Sequence, residues 1–182
     1  MLTVPGTVGV RRVSVTEAAR ETTALVQALA DVLIDCVEGG ASVSFMWPLP
    51  RAKAEAFWRE VLQGVAQAER VLLIAEDAAG QLVGTVQLML AMPDNQPHRA
   101  DVAKMLVRRS ARRVGVAQQL MNAIDDAART ELKTVLVLDT VTGGDAERLY
   151  ARAGWQRVGS VPNYALMPDG AFCATTFFHR QL

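Results

Sequence analysis

Hydrophobic positions change their spacing along this chain, and each change marks an element. Residues 7–15, TVGVRRVSV, alternate apolar and polar with the period of a half-buried strand, and Thr16 with Glu17 offers an N-cap for a helix. From 17 to 37 the positions Leu25, Leu29, Val32, Leu33 and Cys36 recur at three and four, so one helix is expected there, stopped by Gly39-Gly40. After a connecting loop, GGASVSFMWPLP, Pro50 opens a second helix to about residue 69, with Ala54, Phe57, Trp58, Val61, Leu62 and Val65 on one face. RVLLIAED and QLVGTVQLMLA then read as two strands joined in a hairpin through Asp77 to Gly80.

MPDNQPHR breaks the pattern, after which 100–107 is a strand and 115–132 a helix with Leu120, Ile124, Ala127 and Ala128 inward. KTVLVLDT is so uniformly apolar that both of its faces should be covered, as at the centre of a sheet. A short helix over 144–153 ends at Gly154. WQRVGSV and FCATTFFHR supply the last two strands, separated by a turn in NYALMPDG. The order β-α-α-β-β-β-α-β-α-β-β describes an α/β (α+β mixed-sheet) fold with helices on both faces, and no repeat or linker divides residues 1–182 into more than one domain.

Composition narrows the function classes. With 19 basic and 19 acidic residues the chain is balanced, which argues against nucleic acid or an anionic membrane as the main partner. Cys36 and Cys173 match no metal spacing and read as reduced thiols; no metal is expected. No signal-peptide pattern opens the chain and no apolar run reaches the roughly 18 residues of a membrane span, so a soluble, cytoplasmic protein is expected.

Against that balance, Arg108, Arg109, Arg112 and Arg113 stand together just before a helix. A strand leading through a short loop into a helix aims unpaired N–H groups and the positive end of the helix dipole at one spot, where anions bind. Gly115 and Ala117 let a phosphate approach the backbone, with Arg112 and Arg113 beside it. RRVGVA (Arg112–Ala117) fits Gln/Arg-x-x-Gly-x-Gly/Ala, and DAERLYARAGW supplies Ala146, Tyr150, Gly154 and Trp155 downstream. In these motifs and in its element order the chain resembles the GNAT superfamily of acetyl-CoA-dependent N-acetyltransferases. GGASVSFM, LDTVTGGDAERLY and PNYALMPDG look more narrowly like the branch containing the tabtoxin-resistance acetyltransferase.

The resemblance implies a cofactor site. The backbone of Met105, Leu106 and Val107 would hold the acetyl and pantetheine part of acetyl-CoA as an added strand, and Arg112, Arg113, Val114, Gly115, Val116, Ala117 and Gln118 would cradle its pyrophosphate, with Arg108 or Arg109 reaching an outer phosphate. Where many members carry an asparagine seven residues before the tyrosine, this chain has Gly143.

Acetyl transfer needs an amine relieved of its proton and a proton for the departing thiolate, and a free alkyl amine titrates near about 10. Tyr150 is the candidate acid, a role the resemblance implies, although packing of its helix on the sheet is an alternative for the ring. Asp139 is the candidate base or ammonium anchor because it ends a buried apolar strand at the sheet's carboxyl edge; an aspartate bonding the adjoining turn is the alternative. Glu76 and Asp101 are runners-up, and the resemblance makes Trp47, in the loop between the first two long helices, a candidate wall of the acceptor pocket, with ordinary core packing as the alternative. His98 and His179 form no triad or metal spacing. The expected activity is acetylation of a small-molecule amine, a toxin or antibiotic among the candidates. Acetylation of a protein N-terminus or lysine, and a non-catalytic acyl-CoA sensor, are the alternatives. A homodimer through the C-terminal strands is compatible with the resemblance.

Overall fold

The computed structural model describes residues 8–182; Thr7, first in the predicted opening strand, lies outside them. The elements are β1 (Gly9–Arg12), α1 (Val15–Arg20), α2 (Thr23–Glu38), α3 (Arg51–Ala66), β2 (Arg70–Glu76), β3 (Leu82–Met89), β4 (Arg99–Val107), α4 (Val116–Thr130), β5 (Val135–Val141), α5 (Asp145–Arg152), β6 (Gln156–Leu166) and β7 (Phe172–Gln181).

The helix expected over 17–37 is two helices. Ser14, not Thr16, caps the first, its hydroxyl accepting from the Glu17 N–H at 3.1 Å. Glu21 then turns left-handed (φ 42°), and the Thr22 hydroxyl accepts from the Leu25 N–H at 3.4 Å to start α2. Apolar spacing does not register the break because Ala18 and Val26, on either side of it, enter the same core.

One mixed sheet runs β1-β2-β3-β4-β5-β7-β6; among the described residues only the β4–β5 pair is parallel. Helices α1, α2 and α3 seal one face with Val26, Leu29, Leu33, Trp58 and Leu62 against Leu72, Ile74 and Leu106. Helices α4 and α5 cover the other with Leu120, Ile124, Ala128 and Tyr150 against Val86, Leu136, Leu138 and Phe178. The Asp77 carboxylate closes the β2–β3 hairpin, accepting from the N–H groups of Ala79 and Gln81, both at 2.9 Å.

Two strand expectations change. β5 lies inside the sheet, yet only its Leu136 and Leu138 are fully buried; Val135, Val137 and Val141 are half-buried and Asp139 is exposed, because no helix covers that face there. β6 does not stop before NYALMPDG. It continues to Leu166 by absorbing left-handed Asn163 (φ 52°) into an irregularity between Val161 and Ala165, and the turn falls at Met167–Gly170. No helix among the described residues is long and apolar enough to cross a membrane.

The feature that positions a site is where β4 and β5 separate. Their pairing covers only Arg99↔Val135, Ala100↔Leu136 and Asp101↔Val137, after which β4 runs on to Val107 without β5 beside it.

Candidate active site

A parted parallel pair exposes backbone that a sheet normally satisfies. The Arg108 N–H donates to the Val83 carbonyl at 2.8 Å, so by alternation Leu106 also faces β3 while Val107 turns to the vacated side. Val107's carbonyl is not free there: it accepts from Arg112 Nε at 3.1 Å and from the Cys36 thiol at 3.4 Å. Met105 and Leu106 form the half-buried and buried approach to this edge.

At the end of β4 the chain turns into α4. Arg113 (φ 65°) and Gly115 (φ 91°) are both left-handed, an arrangement in which successive N–H groups can surround an anion. Gly115 is the N-cap of α4 and supplies no side-chain acceptor, so the first N–H groups of Val116, Ala117 and Gln118 point outward without a cap. A Cβ at Gly115 would meet no protein atom within 4 Å, so the space in front of it is open and the positive φ is what requires glycine.

The four arginines divide. Arg109 binds Asp35 and Glu38 of α2, with Nε to Asp35 Oδ1 at 2.9 Å and Nη2 to Glu38 Oε2 at 2.6 Å. Arg108 lies 3.6 Å from Asp31, one helical turn earlier, and Arg112 turns back onto Val107. The expectation that Arg108 or Arg109 reaches an outer phosphate, and that Arg112 lends its charge directly, meets these competing partners. Arg113 alone of the four has no carboxylate or carbonyl partner among the described residues. Sequence carries a signal for this: Asp31, Asp35 and Glu38 are spaced four and three apart, one acidic stripe on α2.

On α5, which packs against β5, Tyr150 is 5% exposed, its ring 6.1 Å from both Trp155 and Phe178. The ring packs as the alternative expects, and the hydroxyl makes no hydrogen bond to the protein among the described residues, which leaves it available as a donor. Burial, and secondarily the negative charge of Asp139, hold the phenol far above its ordinary value, so it keeps its proton at neutral pH. Gly143 is left-handed (φ 81°) and gives its N–H to the Glu147 carboxylate, which occupies the turn before α5.

Asp139 lies on the face of β5 that no helix covers. It is exposed beside the parted strands, yet its surroundings displace enough water that desolvation is the largest influence on its carboxyl, raising it above the usual range. Lys104 pulls it down and Asp101 pushes it up. The sequence pattern alone does not single out Lys104. It sits left-handed (φ 50°) in the irregularity of the β3–β4 pairing, its ammonium 3.1 Å from Ser44 Oγ and 5.7 Å from the Phe57 ring centroid. A lysine breaking the apolar run ADVAKMLV is the available clue.

The two runner-up carboxylates are engaged elsewhere. Glu76 is on β2, three strand spacings or roughly 14 Å from β5, and is held by Arg11 Nε at 3.1 Å. It does not meet Asp139. Asp101 is bonded by Arg99. Trp47 is about half exposed and, with Gly39, Gly40, Met167 and Pro168, lines a hollow of about 330 Å³ where its backbone N–H donates to the Pro168 carbonyl at 3.0 Å. Among the described residues no cluster of histidine, cysteine and carboxylate suits a metal.

Residues 67–157, half of the chain, match the family described as acetyltransferase (GNAT) domain. An uncharacterised N-acetyltransferase from the hisH-hisA intergenic region of Azospirillum brasilense is 31% identical over 113 residues, 61% of this chain; the chain spans 65% of that relative's length. A GCN5-related N-acetyltransferase from Kribbella flavida superposes with a TM-score of 0.76 at 21% identity, covering 96% of this chain and 98% of that one. The yncA protein of Salmonella typhimurium, solved with its cofactor acetyl-CoA, gives 0.71 at 18% identity over 97% of this chain and 94% of its own. The parted strands, the uncapped helix and the sequence match agree: the chain belongs to the GNAT acetyltransferase domain family.

Proposed function

We propose that the protein is an acetyl-CoA-dependent N-acetyltransferase acting on the amine of a small molecule, with residues 1–182 working as one domain. The observation that carries the reading is the separation of β4 from β5 directly in front of the uncapped N-terminus of α4, with Asp139 exposed on β5 and Tyr150 on α5, the helix packed on that strand. The residues suit the cofactor: the open space before Gly115 and the unpaired Arg113 fit a pyrophosphate. The edge at Met105 and Val107 fits an extended amide-bearing chain, with Leu106 packing beneath it.

Acetyl-CoA supplies an acetyl group activated as a thioester. Asp139 receives the ammonium of the acceptor and takes its proton, for which a carboxyl raised by desolvation is better matched than an ordinary one. As the amine attacks the thioester carbonyl and the C–S bond breaks, Tyr150, protonated and without a competing protein acceptor, gives its proton to the departing CoA thiolate. Trp47 bounds the acceptor side through its contact with the β6–β7 turn. A toxin or antibiotic amine, acetylated to inactivate it, is the acceptor the tabtoxin-resistance likeness favours. The exposed outer strand β6, with Val158 at 68% exposure, supports a homodimer. Calorimetry with acetyl-CoA followed by CoA release across a panel of amines tests the assignment; binding without release from any amine would leave the acyl-CoA sensor as the function.

A further inference from the structure

Lys104 is a half-buried cation whose immediate partners carry no charge. Its ammonium rests against the Phe57 ring and donates one of its three N–H bonds to Ser44, and no carboxylate of the described residues lies within ion-pair distance. Its placement is built into the fold. The Thr85 hydroxyl donates to the Lys104 carbonyl at 3.0 Å, fixing the left-handed turn that interrupts β4 opposite Thr85–Gln87. Left-handed backbone at a non-glycine residue costs about 1–2 kcal/mol, and here it sends the side chain toward α3 and the loop carrying Ser44.

Asp139 alternates with Leu138 of the α4–α5 face and so lies exposed on the same side of the sheet as α3, with no ion-paired cation among the described residues. Asp139 stands two residues beyond Val137 on β5, and Lys104 three beyond Val137's partner Asp101 on the neighbouring β4, so the two charges sit at the same level where the strands part. Asp101 is taken up by Arg99, and Lys53 is set over Phe45, which packs edge-on at 5.2 Å against Phe57. This part of the sheet therefore offers one anion and one cation, each held by its own scaffold. That is the complement of a zwitterion.

We propose that the acceptor is an amino acid or a close analogue carrying a carboxylate next to the amine that is acetylated, with Lys104 binding the carboxylate and Asp139 the ammonium. The inference rests on the transferase reading above and names its substrate class. Lys104 is then the specificity-determining residue, and a bound carboxylate would offset the pull that Lys104 exerts on Asp139.

The test compares amino acids with their carboxamides, matched in side chain, by CoA release at saturating acetyl-CoA. The parent protein is expected to favour the acid by at least about tenfold in kcat/KM, the scale of one charge-assisted contact, and mainly through KM. In Lys104→Met that advantage should vanish, and Lys104→Arg should restore part of it. Carboxamides acetylated as well as acids by the parent would overturn the inference while leaving the transferase reading intact, and this comparison needs no variant to fold. Loss of acid and carboxamide turnover in equal proportion in a folded Lys104→Met would overturn it as well. Release of CoA with no amine at all would overturn both.

Discussion

Arg109 grips Asp35 from two sides: its backbone N–H donates to Oδ2 at 2.8 Å and its Nε to Oδ1 at 2.9 Å. One aspartate of α2 thus anchors both the main chain and the guanidinium at the point where β4 ends and the loop toward α4 begins. Glu38 holds the rest of the guanidinium, and Asp31 holds Arg108. Three of the four clustered arginines therefore brace the loop from behind, and its outer surface is left to Arg113 and the backbone.

Asp35 makes that brace sensitive to acid. Desolvation, the largest single influence, pushes its carboxyl up, but the hydrogen bonds and charge of Arg109, with Arg112, outweigh it and hold the group below the ordinary value. A lowered folded-state pKa gives stability that is present above the unfolded value, about 3.9, and is lost as pH falls through the folded one. Asp35→Asn should unfold at a lower Tm than the parent near pH 7, and the two should converge below about pH 4. A constant gap across that range would remove the charge from the account.

Gly115 and Arg113 should separate backbone from side-chain binding. At φ 91° an alanine is strained, so Gly115→Ala should lose about 1–2 kcal/mol of stability and weaken acetyl-CoA by an order of magnitude or more as the N–H groups shift. Arg113→Ala should weaken it only several-fold, since backbone donors carry most of the contact. Calorimetry on both variants decides: the reverse ranking would place the pyrophosphate on the arginine rather than on the loop.

Tyr150→Phe keeps the ring between Trp155 and Phe178 and removes a hydroxyl that has no protein partner. No acceptor is stranded, so Tm should stay near that of the parent. With the proton donor gone, kcat should fall roughly 10²- to 10⁴-fold. Unchanged turnover in this variant would reduce Tyr150 to packing.

The sequence shows the elements whose cues are local. β2, β3 and β4 appear within a residue or two of their limits, and Gly115 and Tyr150 stand where motif spacing puts them. What escapes depends on residues distant in the chain. Arg109 meets Asp35 across 74 positions, and the arginine cluster alone does not distinguish a phosphate from a carboxylate as its partner. Asp139 and Lys104 belong to different strands that part after three residue pairs, so they come to the same level only once the sheet is assembled. The Glu21–Thr22 break escapes for the opposite reason: its cues, Ser14-x-x-Glu17 and Thr22, are local, but the apolar period runs through them.

Asp139→Asn keeps the shape of the side chain and removes its charge, so kcat/KM should fall on the order of 10²-fold while acetyl-CoA affinity holds. The stronger test is the pH profile. A carboxylate serves as base only when ionised, and desolvation with the help of Asp101 raises the Asp139 pKa, so with Asp139 in the proposed role the acid limb of kcat/KM should lie above the ordinary carboxylate range. Two neighbours move that limb in opposite directions. Lys104→Met removes the charge that lowers Asp139, and the limb should shift to higher pH. Asp101→Asn removes a charge that raises it and frees Arg99, both of which favour the ionised form, and the limb should shift to lower pH. The profiles should be recorded with an acceptor whose amine titrates well above the limb. A limb that ignores both substitutions would assign it to a group other than Asp139, whatever the Asn variant does to the rate.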